Sequence, residues 1–149
     1  NDKKKLHDIE KKKNIMREPL VGNKELTVAV LQDKPLTVTE ILPKKNRFYN
    51  YQAKYETNGS THRLPAKIPK CIFDKAMNWA FRSHKILGCK GVSRSDFRYD
   101  EKSKKLYMLE INTQPGMTET SLVPEQAKFC NISMSDLVEI LLKEARCED

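Results

Sequence analysis

Between Leu106 and Leu122 the chain reads LYMLEINTQPGMTETSL, and this run limits the fold more than any other. Tyr107, Leu109 and Ile111 alternate with Leu106, Met108, Glu110 and Asn112, which is the period-two pattern of a strand. The second set starts apolar and ends on a carboxylate and an amide. A strand face ends this way where something beside it requires oxygen ligands. Pro115-Gly116 then breaks the strand, and a loop carrying Thr118, Thr120 and Ser121 follows.

A second strand is expected just before it, where Val92, Arg94 and Asp96 share a face. If the hairpin loop is Glu101–Lys105, Asp100 opposes Leu106, Asp96 opposes Glu110, and Arg94 opposes Asn112. Directly opposed residues lie about 5 Å apart at Cβ on one side of the sheet. Two carboxylates that close repel unless a cation lies between them. Asp, Glu and Asn oxygens are the hard ligand set that suits magnesium. Arg94, one step along, is placed to hold an anionic group. The plainer alternative is a solvated hairpin edge with ordinary charges.

With 149 residues, one domain is expected. Apolar residues make up 38% and charged residues 32%, enough for a core under a heavily solvated surface. No run of 18 apolar residues exists, so no membrane span is expected. The chain starts without Met, inside a lysine-rich segment with no signal-peptide pattern, and is expected to be a piece of a longer protein. The formal charge of +8 bears first on solubility, and second on attraction for phosphates. The lysine-rich stretch lacks the interleaved aromatics of a nucleic-acid module, so no nucleic-acid partner is expected. Cys71, Cys89, Cys130 and Cys147 show no CxxC pair and no zinc spacing, which fits free thiols in a reducing cytoplasm.

Residues 1–24 carry a thin helical pattern that Pro19 and Gly22 end. Glu25 to Leu42 reads as two antiparallel strands about a turn at Asp33-Lys34-Pro35. Residues 44–69 form a long irregular segment. It is either a surface loop whose aromatics pack back on the body, or a lid that brings Lys54 onto a phosphate. Cys71 to Leu87 is the clearest helix, with Phe73, Ala76, Met77, Ala80 and Leu87 on its apolar stripe and Gly88 as its stop. His84 is read as structural or solvent-facing. Pro124 to Phe129 is a short helix, and Ser133 opens a final one carrying Leu137, Val138, Leu141 and Leu142. The element order predicts an α+β domain, an antiparallel sheet with helices packed on one face.

The runs GCKGVSRSDF and LEINTQPGMTETSLVPE closely resemble the C-terminal part of the D-alanine–D-alanine ligase family, ATP-grasp enzymes of bacterial peptidoglycan synthesis. NRFYNYQAKY resembles that family's mobile loop, and KELTVAVL its nucleotide-side strand. The resemblance implies a C-terminal ATP-grasp catalytic domain at 25–149. Residues 1–24 would be a remnant of the central region, with the N-terminal domain of the parent absent.

It also implies roles. Asp96, Glu110 and Asn112 bind Mg2+ (or Mn2+) with the ATP phosphates, and Arg94 stabilises the tetrahedral intermediate. Lys54 contacts phosphate from the loop, Tyr55 lies near substrate, and Gly116 supplies a backbone amide. Ser121 and Leu122 hold the second D-alanine, and Glu25 lies near the ATP ribose. The parent would be a cytoplasmic ligase, able to form a homodimer, and this piece alone would be inactive. Gly22-Asn23-Lys24 departs from the Gly-Arg pair that the family usually has before the glutamate. Two other readings stay open: a D-alanine–D-lactate ligase on the same fold, and a non-catalytic basic nucleic-acid-binding module.

Overall fold

The computed structural model describes residues 18–43 and 60–145. Five strands form one antiparallel sheet: β1 (Lys24–Leu31), β2 (Lys34–Pro43), β3 (Ser60–Arg63), β4 (Val92–Asp100) and β5 (Lys105–Asn112). Their order across the sheet is β3-β2-β1-β4-β5. The helices are α1 (Lys70–Ile86), α2 (Leu122–Phe129) and α3 (Met134–Glu144).

The α+β class and the antiparallel sheet match the expectation, but the helices do not share one face. Strand alternation sends consecutive residues of β1 to opposite sides. Leu26, Val28 and Val30 join Phe97 and Tyr99 in a core with Ile72, Ala76 and Ala80 of α1. Ala29 and Leu31 join a second core with Val123 and Ala127 of α2 and Leu137 of α3. On the sheet the second core rests on Ala29 and Leu31, with Leu36 and Val92 packed against it.

Three local differences also have physical causes. The β1–β2 turn is Gln32–Asp33, both in the left-handed region at φ 46° and 63°, so Lys34 and Pro35 already belong to β2. A two-residue turn of that hand matches the twist of a hairpin. The segment expected to be irregular contains β3, which pairs His62 with Ile41 and Arg63 with Glu40. Its short polar sequence STHR shows no apolar alternation. Helix α1 buries Ile72, Ala76, Ala80 and His84, one side chain per turn. Leu87, expected on that stripe, lies past the helix end and is 60% exposed, and Gly88 turns the chain at φ 63°.

Helix α3 starts on a capping box. Ser133 Oγ accepts from the Asp136 N–H, and the Asp136 carboxylate accepts from the Ser133 N–H. Cys71, Cys89 and Cys130 are free thiols. No helix among the described residues is long and apolar enough to cross a membrane.

Candidate active site

The β4–β5 hairpin pairs Asp96 with Glu110 and Arg94 with Asn112, the register expected at this end. At the turn end the register differs: Asp100 opposes Lys105, and Tyr99 opposes Leu106. The ladder shifts by one residue between Asp96 and Phe97, where β5 carries Leu109 as an unpaired extra residue. The bulge reverses the parity of the strand. Leu106 and Met108 therefore pack on the α1 side, while Glu110 and Asn112 turn to the other. Strict alternation had put all four on one face.

Arg94, Asp96, Glu110 and Asn112 line one cavity of about 640 Å³. Its far wall comes from the loop after β5 and the start of α2, with Gly116, Ser121 and Leu122. Seven residues expected at the site are thus brought together. Glu25 lies one row along the same sheet face, opposite Arg98, whose Nη1 is 3.3 Å from its carboxylate. Arg98 also donates to the carbonyls of Val21 and Gly22, and so ties the strand entry to the Glu25 carboxylate. Lys54 and Tyr55 lie outside the described residues.

Arg94 grips Asp96 in a two-pronged pair, Nε to Oδ1 at 2.9 Å and Nη2 to Oδ2 at 2.8 Å. Both side chains are mostly buried, at 13% and 15% exposed. The guanidinium thus already offsets the charge of one of the two facing carboxylates. Glu110 is exposed and has no hydrogen bond or ion pair among the described residues. Asn112 Oδ1 accepts from the Gln114 N–H at 2.9 Å, which fixes the amide so that its oxygen keeps a second lone pair. Ser121 precedes α2 in an extended conformation, and its Oγ, rather than capping the helix, accepts from the Thr118 N–H at 3.1 Å.

Two carboxylates and an amide oxygen on one wall suit a hard divalent cation. They are too few to fill its shell. Among the described residues no group of three or more His, Cys, Asp or Glu could hold a metal. An ion here would draw its other ligands from water or from phosphate oxygens, which is how magnesium is usually held. A larger hollow of about 860 Å³ lies beside Glu119, Glu125, Lys128 and Asn131, but among the described residues no arginine lines it.

Two site-side residues escaped sequence reasoning. Thr27 of β1 donates to Asp96 Oδ1 at 2.7 Å. Gln126 of α2 is fully buried and bonds the β1 main chain at Ala29 N and Thr27 O. The signal for Thr27 was present in principle, since aligning β1 against β4 places it opposite Asp96.

A family model described as D-ala D-ala ligase C-terminus matches residues 4–143. A D-alanine–D-alanine ligase of Zymomonas mobilis is 50% identical over 139 residues, covering 92% of this chain and 43% of that protein. One from Gluconobacter oxydans is 48% identical over 134 residues, covering 89% of this chain and 44% of that protein. The solved D-alanine–D-alanine ligase of Bacillus anthracis complexed with ATP superposes with a TM-score of 0.70 at 22% identity, over 85% of this chain and 39% of that one. That likeness speaks for the fold. The chain spans less than half the length of the curated relatives it matches. On the family match across nearly the whole chain, it belongs to the D-alanine–D-alanine ligase family and corresponds to its C-terminal part.

Proposed function

We propose that this chain is the catalytic C-terminal domain, residues 25–149, of an ATP-dependent ligase that joins two D-alanine molecules. In that reading ATP gives its γ-phosphoryl group to the carboxylate of the first D-alanine, leaving ADP and an acyl phosphate. The amine of the second D-alanine attacks the carbonyl carbon and loses a proton, and phosphate departs. Residues 1–24 belong to the central region of the parent.

The observation that carries this reading is the single wall holding Asp96, Glu110, Asn112 and Arg94 beside the Ser121 end of α2. Asp96, Glu110 and Asn112 would hold Mg2+ or Mn2+ together with the ATP phosphates, and such an ion would supply charge neutralisation for the transferred phosphoryl group. Arg94 supports the negative charge of the tetrahedral intermediate, which requires it to loosen its grip on Asp96. The Gly116 backbone amide faces the same region, and Ser121 with Leu122 holds the second D-alanine by its carboxylate. Glu25 meets the ribose, Lys54 reaches a phosphate, and Tyr55 lies near substrate. In this reading the parent acts in the cytoplasm and can form a homodimer.

A coupled ADP-release assay with ATP, Mg2+ and D-alanine tests the assignment. The longer protein carrying this chain turns over, and the Asp96→Asn variant falls at least 100-fold. The isolated 149-residue chain releases no ADP, because the other wall of the nucleotide pocket comes from the remaining half of the parent. D-alanine-dependent turnover by the isolated chain would overturn that second statement. Offering D-alanine and D-lactate together and analysing the product decides the acceptor.

A further inference from the structure

One row of side chains crosses four strands on the site face: Thr39 on β2, Thr27 on β1, Asp96 on β4 and Glu110 on β5. Thr27 is fully buried. Its Oγ1 lies 2.7 Å from Asp96 Oδ1 and 3.3 Å from the Ser95 carbonyl oxygen. A threonine hydroxyl has one proton to give, and the shorter contact to the charged acceptor takes it. The bond is not a default of the row. Thr39 Oγ1, next across the sheet, is buried with no hydrogen-bond partner among the described residues.

The backbone that carries Thr27 is also fixed. The β1–β2 ladder slips between Val28 and Val30, which frees main-chain groups that the neighbouring strand no longer serves. The fully buried Gln126 side chain takes them, accepting from the Ala29 N–H at 2.9 Å and donating to the Thr27 carbonyl at 3.3 Å. A β-branched side chain on a clamped strand has little rotamer freedom. The hydroxyl therefore meets Asp96 from a set direction. Oδ1 accepts from Thr27 and from Arg94 Nε, while Oδ2 accepts only from Arg94 Nη2 among the described residues.

We propose that Thr27 is a positioning residue for Asp96: its buried hydroxyl occupies Oδ1 and leaves Oδ2 as the oxygen offered to a divalent cation. The inference rests on the reading of Asp96 as a cation ligand. Groups that orient metal ligands from behind typically contribute about 10- to 100-fold in affinity.

The test is a Mn2+ titration of the longer protein carrying this chain by electron paramagnetic resonance, with a non-hydrolysable ATP analogue present and the analogue alone as reference. Thr27→Val keeps the shape and the strand propensity but removes the donor. Thr27→Ser keeps the donor. Expected are Mn2+ binding beyond that of the analogue for the parental chain, loss of it in Asp96→Asn, a 10- to 100-fold weakening in Thr27→Val, and retention within about threefold in Thr27→Ser. Thr27→Ala repeats the loss of the donor without the added apolar contact and must weaken Mn2+ as well, should Thr27→Val disturb the sheet. Parental affinity in Thr27→Val overturns the positioning role and leaves the ligand reading intact. Equal weakening in Thr27→Val and Thr27→Ser overturns it too, by assigning the effect to packing. Absence of Mn2+ binding by the parental chain defeats the ligand reading and the inference together.

Discussion

His84 and Gly116 show how single residues serve different ends of this sheet. His84 is 1% exposed, and its Nδ1 lies 2.7 Å from Ser93 Oγ. Burial holds its pKa below the ordinary histidine value; Asp33 pulls it upward, and Lys85 adds to the depression. The folded protein thus keeps the ring neutral where the unfolded chain would protonate it. The stability it contributes is complete above the unfolded value of about 6.5 and is lost as pH falls through the lower folded value. Urea unfolding midpoints are therefore expected to fall between pH 7.5 and 5.5, and His84→Gln to flatten that slope. An unchanged slope in the variant would assign the acid sensitivity to another group.

At Gly116 the concern is space. A Cβ there would sit 3.0 Å from Ser121 Oγ, the atom that accepts from the Thr118 N–H and lies 2.8 Å from Thr118 Oγ1. The hydroxyl must give way, since that separation is inside normal contact. In the proposed longer ligase, Gly116→Ala is expected to raise KM for the second D-alanine several-fold. The melting temperature stays within about 2 °C, as exposed loop changes cost little. An unaltered KM would remove Ser121 from acceptor binding.

Among the elements, β1 packs against α1 on one side and against α2 on the other. Its contact with α2 runs through Gln126, whose amide replaces missing ladder partners. Gln126→Leu leaves a buried N–H and a buried carbonyl without partners and is expected to cost about 2–4 kcal/mol by urea denaturation. A loss below about 1 kcal/mol would mean that β1 finds other partners. This clamp was not legible in the sequence, because a glutamine in an amphipathic helix looks like its solvated side.

The hairpin was legible at one end for a definite reason. The acidic and amide residues that close β5 break an apolar pattern, and the pairing of Asp96 with Glu110 follows from the hairpin length. The bulge at Leu109 was hidden, since one extra residue leaves the letters alternating while it changes the side they face. The actual turn, one residue shorter than expected, is offset by that extra residue, so the site register survives. Strand β3 and the second core were hidden differently. Ser60–Arg63 is too polar to stand out, and Ala29 and Leu31 of the second core alternate with the larger set that faces α1.

At the scale of the molecule, one sheet has two occupied sides. Strand β4 gives Phe97 and Tyr99 to the α1 core and Arg94, Asp96 and Arg98 to the cavity side. The side chains of the two faces hang from one backbone only a strand thick. Close-packed interiors transmit small displacements rather than absorb them. The chain has a single tryptophan, Trp79, and it borders the α1 core with Lys75 Nζ stacked 4.6 Å from its ring centroid. Its indole lies behind the wall that the proposed ligands face. Saturating the proposed longer ligase with Mg2+ and nucleotide should therefore change its tryptophan emission in intensity or wavelength, and Trp79→Phe should remove part of that change without slowing turnover more than about twofold, as expected for a partly buried aromatic swap. Emission blind to nucleotide would show that the sheet insulates its two sides. A responsive indole would give the protein a built-in optical gauge of occupancy, read from the side of the sheet opposite the proposed site.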